Sequence, residues 1–459
     1  MTMRTTAAAC FLLWVVLFGV AHALSSREED WRKWEEDPEW EGEDEKWKGK
    51  DEGFLLRDSK KVIETAAGSM EVVRNFDRWQ TEKPLHIGFL TMEPKTLFIP
   101  QYVDSNLILF IRRGEAKLGV IYKDELSELQ LKIGDIYRIP AGAVFYLVNK
   151  GEGQRLHVIV NIDPSESTRT GHFQSFFVGG GTHPASVLTG FGPETLSTAF
   201  NVSMDELSLL MEGQQEGPIV FLEGSISPRR KNWSKFLQMQ KLRLEKAAEE
   251  EPGWTWRGLW GVLVQQKNKK SIRKSSKSPD SYNIYDRRHD FSNDYGWTIA
   301  LDESDYNPLK HSGIGVYLVN LTAGSMLAPH WNPRATEYGI VLKGSGTIHI
   351  VYPNGTQALK AEVNEGDVFW IPRFFPFCQI ASRTGPFEFF GFTTSAEKNR
   401  PQFLAGASSA LRTIQGPELA ASFGVEEEEL RGLLDSQRES IILPSAAVSP
   451  PDGKIKQKG

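Results

Sequence analysis

The sequence predicts a mainly β protein built as two tandem β-barrels, each followed by a small helical unit. Three observations predict it. One pattern occurs twice, its closing glycines Gly114 and Gly344 standing 230 residues apart. Short apolar or alternating runs are separated by abundant glycine (41) and proline (24), the composition of many strands joined by tight turns. After each set of strands the periodicity changes to that of helices, over residues 183–222 and again from Gly416.

At 459 residues and 40% hydrophobic content the chain has room for two cores. A net charge of −6 excludes bulk attraction to nucleic acid. Arg4 precedes an apolar run from Ala7 to Val20, closed by Ala21-His22-Ala23. That is a signal peptide over residues 1–23, with cleavage expected after Ala23. The run is too short to span a bilayer, which takes ~20 residues, and no later stretch predicts a span. Cys10 leaves with the signal, so Cys378 is the only cysteine of the mature chain and no intrachain disulfide forms.

Residues 24–59 are acidic and carry Trp31, Trp34, Trp40 and Trp47, which predicts a solvated, flexible segment. Residues 60–264 hold the first barrel and its helical extension. Leu107 to Ile111 is a buried run, Ala116 to Tyr122 alternates in part, and Gly134 to Pro140 and Val144 to Val148 supply further strands. Pro193 to Phe200 reads as a short helix; Ser203 with Glu206 reads as a capping box opening a second. Residues 265–281 form a basic, exposed linker, the natural place for a protease to cut. Residues 282–440 repeat barrel and helices, with helices from Pro417 to Phe423 and from Glu426 onward, and residues 441–459 are expected to be a disordered tail. Four sequons stand at Asn201, Asn232, Asn320 and Asn354. Asn354, on a hairpin turn, is the best glycan acceptor; Asn320 ends an apolar strand.

The residues resemble the cupins, jelly-roll β-barrel proteins, and specifically the two-barrel vicilin-like seed storage globulins (7S class) of plants. The first cupin motif is Gly-x5-His-x-His-x4-Glu-x6-Gly; Gly324, His330, Glu337 and Gly344 fit it, with Asn332 in place of the second His. The second motif is Gly-x5-Pro-x-Gly-x2-His-x3-Asn. Gly134, Pro140, Gly142 and Asn149 fit it in the first half, with Phe145 in the His position. In the second half Gly366 and Pro372 fit, while Phe374, Phe377 and Ala381 depart from it. Longer phrases are more specific: Ala328 to Tyr338, Phe369 to Arg373 and Asn399 to Gly406 are similar to vicilin. The likeness covers roughly residues 60 to 440. It implies a homotrimer assembled through the helical extensions and storage in a seed vacuole reached by the secretory route, with the extracellular space as the alternative.

Placing Gly114 on Gly344 sets Pro100 opposite His330, Tyr102 opposite Asn332 and Leu107 opposite Glu337. The first barrel then has no metal ligands, and Tyr102 is its one polar group able to donate a hydrogen bond to a small ligand. In the second barrel His330 and Asn332, two apart on a strand, share a face with Glu337 near by. An amide is a weak ligand for a transition metal. A strand bulge would bring the Cys378 sulfur beside His330, and thiolate with imidazole would favour copper or zinc. Without a cation, Glu337 needs a polar partner, with Arg334 and Tyr338 close in sequence, or keeps its proton.

Three functions follow. The first is a nutrient reservoir without catalytic activity or cofactor. The second is a binding module for a metal ion or a small carboxylate or phenolic ligand, using His330, Cys378, Asn332 and Glu337. The third is a metal-dependent oxidase or isomerase, against which Asn332 and Phe377 stand.

Overall fold

The computed structural model describes residues 53–57, 59–74, 85–168, 172–181, 183–212, 214–222 and 279–451. The signal peptide, the four tryptophans of the acidic segment, Asn232, linker residues 265–278 and residues 452–459 lie outside them. The described residues from Phe54 onward belong to one compact unit.

The first half contains strands β1 (Ser59–Thr65), β2 (Gly68–Arg74), β3 (His86–Met92), β4 (Thr96–Val103) and β5 (Asn106–Arg113). It continues with β6 (Ala116–Tyr122), β7 (Glu125–Leu131), β8 (Asp135–Ile139), β9 (Phe145–Asn149), β10 (Leu156–Asp163) and β11 (Ser175–Phe177). Helices α1 (Pro193–Phe200) and α2 (Met204–Glu212) follow, then β12 (Ile219–Phe221). The second half runs through β13 (Tyr282–Asn283), β14 (Phe291–Asn293), β15 (Gly296–Leu301), β16 (Gly315–Leu321), β17 (Ser325–Trp331) and the long β18 (Glu337–Val351). After it come β19 (Gln357–Asn364), β20 (Val368–Ile371), β21 (Phe377–Ala381), β22 (Phe387–Thr393) and β23 (Gln402–Phe403). Helices α3 (Ala410–Thr413), α4 (Pro417–Phe423) and α5 (Glu427–Asp435) precede β24 (Ile442–Pro444).

Local chemistry explains the joints. Tyr122 pairs with Glu125, so β6 and β7 turn through two residues, Lys123 and Asp124, both at positive φ (52° and 68°). That is the turn whose twist matches a hairpin. The capping box exists: Glu206 N–H donates to Ser203 Oγ at 3.3 Å and Ser203 N–H to Glu206 Oε2 at 2.9 Å. Gly344 has φ 79°, and a Cβ there would stand 1.7 Å from the Pro386 carbonyl oxygen, so β18 passes this corner only with glycine.

The first barrel is made of a seven-stranded sheet, ordered β1-β2-β3-β10-β5-β8-β13, and a sheet ordered β11-β4-β9-β6-β7 with β12 beside β4. The second half forms one eleven-stranded sheet in which β18 bends and pairs with β19, β20, β21 and β22. The interior of the first barrel is packed with apolar side chains, among them Leu107, Leu109, Phe98, Phe145 and Leu147. A second apolar cluster runs through the second barrel and across to the first, where the rings of Phe110 and Phe390 stack at 3.9 Å.

Each half gives its leading segment to the other. Tyr282 and Asn283 of β13 pair with Ile136 and Asp135 of β8. Reciprocally, Leu55 bridges Phe369, Leu56 N–H donates to Val368 O at 2.9 Å, and Trp370 N–H to Phe54 O at 2.8 Å. This corrects two expectations. Phe54 and Leu55, placed in the flexible segment, are buried on the second barrel. Ile442 and Leu443, placed in the disordered tail, are buried as β24 against β17. Both segments are apolar and short, and the neighbouring charge concealed them.

Candidate functional site

The site sits in the second barrel. β17 carries His330 inward, opposite Phe377 of β21. Between Leu327 and His330 the register shifts, so β17 takes three steps where β21 takes two. His330 is buried; its Nδ1 lies 2.7 Å from the Ala328 carbonyl oxygen and must be the protonated donor there, leaving the lone pair on Nε2. The rings of Phe377 and Phe403 stand 4.1 Å and 5.0 Å from the imidazole. Burial pushes its pKa down to about 4, so the ring is neutral.

Glu337 opens β18 and is also buried. Its Oε2 accepts a hydrogen bond from Asn332 Nδ2 at 2.8 Å, and Asn332 Oδ1 accepts one from Asn399 Nδ2 at 2.8 Å. Burial pushes the carboxyl up to about 7; Tyr317 and Asn332 oppose that rise. The buried Tyr317 hydroxyl lies near the carboxyl. The partners expected from sequence are elsewhere: Arg334 pairs with Glu397 at the surface at 2.6 Å, and Tyr338, next along the strand, points to the opposite face.

Cys378 does not join His330. β21 keeps unbroken register with β18 from Phe377 against Ile350 to Ala381 against Gly346. Phe377 faces His330, so the next side chain, Cys378, faces away. Burial pushes its thiol up to about 11, which keeps it protonated and a poor ligand. The bulge lies on β17 instead. Among the described residues no three His, Cys, Asp or Glu side chains gather as a metal site. One imidazole between two phenyl rings does not fit copper or zinc.

The first barrel requires a correction of register. Gln101 pairs with Phe145 as His330 pairs with Phe377. The Pro100 carbonyl accepts from Val178 N–H, as the Pro329 carbonyl does from Leu404 N–H. The Val103 carbonyl accepts from Gly142 N–H, as the Asn332 carbonyl does from Phe374 N–H. Pro100 therefore matches Pro329, Gln101 matches His330 and Val103 matches Asn332. The loop before Leu107 is one residue shorter than the loop before Glu337. A one-residue slip moves every side chain to the other face. Tyr102 accordingly leaves the interior and stacks on Phe176 at 4.8 Å, while Gln101 is buried with an unpartnered Nε2. Leu107 and Phe145 do line the interior.

Three contributors escaped the motif search. Tyr317 comes from β16 and Asn399 from the segment before β23. Gln379 lies two residues past Phe377 and so on the same inward face; strand alternation alone would have found it. It is fully buried with neither amide atom partnered. Phe374 sits at φ 74°, a conformation the motif normally assigns to glycine and Gly142 adopts at 75°.

Of the sequons, Asn354 is exposed on its turn, its Oδ1 accepting from Thr356 N–H at 3.0 Å and Thr356 Oγ1 at 2.7 Å. Asn201 is exposed at the left-handed end of α1. Asn320 is half-buried within β16, its backbone paired opposite Trp297 and Glu388. Among the described residues no helix is long and apolar enough to cross a membrane.

Comparison with known proteins agrees with this architecture. A cupin family model matches residues 282–431. A vicilin-like seed storage protein of Arabidopsis thaliana is 56% identical over 419 residues, covering 87% of this chain and 81% of its own. The vicilin of Capsicum annuum superposes with a TM-score of 0.70 at 22% identity, over 85% of this chain and 99% of that one. A vicilin of Solanum melongena, described with different anionic ligands in structurally similar pockets, superposes with a TM-score of 0.69 at 21% identity, over 85% and 97%. Two cupin barrels in one chain, with that degree of identity along most of its length, place this chain in the family of vicilin-like seed storage proteins.

Proposed function

We propose that this chain is a nutrient reservoir whose folded, assembled polypeptide is itself the product, and that it catalyses no reaction. The observation that supports this most is the content of the two barrels. At the positions where a cupin centre needs imidazoles and a carboxylate, the first barrel has Gln101, Val103, Leu107 and Phe145, and the second has lost two imidazoles to Asn332 and Phe377. No oxidase or isomerase centre can be assembled from one neutral His330. The test is turnover. Purified full chain, supplied in turn with copper, zinc, iron and manganese and with carboxylate and phenolic substrates under oxygen, is expected to show none. Turnover that disappears in His330→Ala would refute the proposal.

The reservoir is a homotrimer in this reading. Both helical units leave apolar side chains in solvent: Phe191, Phe200 and Met204 on the first, and Ile414, Phe423 and Leu433 on the second, the last 71% exposed. Contiguous exposed apolar surface marks an interface, and the equivalent ends of α1 and α4 present Phe200 and Phe423. Light scattering after size exclusion is expected to give three chains for the parent and one for the double variant Phe423→Glu, Leu433→Glu.

The route is secretory, through cleavage after Ala23, to a storage vacuole. Asn354 is the glycan acceptor, with Asn201 second; the strand position of Asn320 keeps it unmodified once folded. Peptide mass analysis of protein from the seed checks both points. A second reading, a small-molecule binding module in the second barrel, draws on the unpartnered Gln379 amide, two residues along β21 from the Phe377 that faces His330. The anionic guests described for the Solanum melongena vicilin make the comparison pertinent.

A further inference from the structure

We propose that the rim of the first barrel, where Arg112 and Arg113 bulge opposite His157, binds a phosphate dianion, free or as the terminal group of a phosphomonoester. The site lies outside both barrel interiors and is independent of the reservoir reading.

One strand irregularity occurs in both barrels and carries a different charge pattern in each. In the second barrel the register of β18 against β22 shifts between Val341 and Lys343, so Leu342 is the extra residue and Lys343 stands opposite Glu388. In the first barrel the register of β5 against β10 shifts at the matching place, so Arg112 is the extra residue and Arg113 stands opposite His157. The glycines at the two corners support the match. A Cβ on Gly114 would meet the Arg155 carbonyl oxygen, and one on Gly344 would meet that of Pro386. His157 therefore occupies the place of Glu388. Their neighbours on the next strand correspond too: Thr91 Oγ1 lies 3.3 Å from His157 Nδ1, and Asn320 Nδ2 donates to Glu388 Oε2 at 3.4 Å. A lysine faces a carboxylate in one copy; an arginine faces an imidazole in the other.

The first copy is accordingly short of negative charge. Arg155, two residues before His157, shares its face of the sheet. Three guanidiniums and an imidazole thus gather where Glu93 and Glu365 are the pairing carboxylates. Glu365 pairs with Arg112, whose Nη2 also donates to the Leu342 carbonyl at 2.8 Å. Glu93 pairs with Arg155 at 2.8 Å, but the Arg155 side chain is 62% exposed, and an ion pair so open to water is weak and easily exchanged. Arg113 is exposed and has no ion pair among the described residues. Burial holds the His157 pKa below the ordinary imidazole range; Arg112, Arg113 and Arg155 push the same way, and Glu93 opposes them. Like charges set opposite each other on a sheet repel, and a multiply charged oxyanion between them relieves the repulsion. Guanidinium forks match phosphate oxygens two at a time. The net charge of −6 gives the chain no general attraction for anions, so an anion held here is held by this cluster.

The test is phosphorus NMR on the full chain at pH 7 and low ionic strength, with inorganic phosphate and glycerol 3-phosphate as probes and acetate as competitor. Both probes are expected to bind, and excess acetate to leave them bound. Arg113→Gln is expected to weaken both by about tenfold with an unchanged melting temperature, since that side chain is exposed. His157→Glu reproduces the second barrel's pairing and is expected to abolish binding. Arg431→Gln, which removes the same charge from α5, is expected to leave binding at the parent's value. The His157 proton resonance, assigned against His157→Gln, is expected to titrate at higher pH once phosphate is added. Undiminished binding in Arg113→Gln, an equal loss in Arg431→Gln, or a His157 titration indifferent to bound phosphate would overturn the assigned site. Displacement by acetate would overturn the phosphate class. Binding of inorganic phosphate alone would overturn the monoester, and binding of neither probe would overturn the proposal outright.

Discussion

Asn332 holds Glu337: the amide at the cupin motif's second histidine position donates at 2.8 Å to the Glu337 carboxyl. A buried carboxyl with no cation stays protonated at mildly acidic pH, and here its pKa rises to about 7. His330 answers in the opposite direction, its pKa lowered to about 4.

These two shifts predict a flat pH profile that either single variant tilts. For Glu337 the folded pKa is raised, so its contribution is fully present below about pH 4.5 and is lost as pH rises through 7. For His330 it is depressed, so its contribution is present above about pH 6.5 and is lost as pH falls through 4. Between 4.5 and 6.5 the two slopes oppose each other. Each is worth about 3 kcal/mol at most. Urea midpoints measured from pH 4 to 8 are expected to vary little for the parent over that window. In Glu337→Gln they should rise with pH, and in His330→Gln they should fall.

The junction of the barrels rests on the Phe110 and Phe390 rings, both fully buried and 3.9 Å apart. Truncating either leaves a cavity with no means of collapse between two rigid sheets. Phe390→Ala is expected to cost about 3–5 kcal/mol, as is Phe110→Ala. The double variant should cost less than the sum, because the second truncation removes a partner already lost. Calorimetric melting of the four proteins reads the coupling directly.

Much of the fold was legible because the pattern is said twice. The strand sets, the capping box at Ser203 and the helices at Pro193 and Pro417 rest on local periodicity, which tertiary contacts here reinforce. The site was legible in part. Asn332 meets Glu337 because the loop between them sets their spacing, whereas His330, two residues earlier on β17, packs against Phe377 and Phe403. Cys378 was misplaced because the bulge fell on β17 and not on β21, a choice that backbone pairing makes and spacing does not reveal. Tyr102 was misplaced because alignment on Gly114 carried one missing loop residue back into β4. Tyr317 comes from β16, and nothing in its local sequence points at Glu337.

Gly344 and Gly355 both have positive φ, 79° and 84°, yet they should respond differently to alanine. At Gly355 no atom lies within 4 Å of the added Cβ, so only the left-handed backbone resists, at about 1–2 kcal/mol. At Gly344 the Cβ would meet the Pro386 carbonyl at 1.7 Å as well, and the β18 corner must open. Gly344→Ala is expected to lose more than about 3 kcal/mol or to fail to fold. Denaturant titration of both variants checks the order, and equal losses would contradict the steric account.

Phe54 fixes the start of the described chain to the far barrel. Its ring is 1% exposed and stacks on Trp370 at 6.0 Å, with Tyr352 and Phe375 at 6.2 Å and 6.1 Å. Leu55 and Leu56 meanwhile cover the open edge of β20. An uncovered strand edge invites pairing with another chain. Phe54→Ala is therefore expected to do two things at once. It should lower stability by about 3–5 kcal/mol, and it should let water reach the Trp370 indole, shifting its emission to longer wavelength before global unfolding. Substituting Trp370→Phe identifies that emission against the other tryptophans. A Phe54→Ala protein that loses stability with no change in Trp370 emission would show that the segment stays seated through its backbone hydrogen bonds alone.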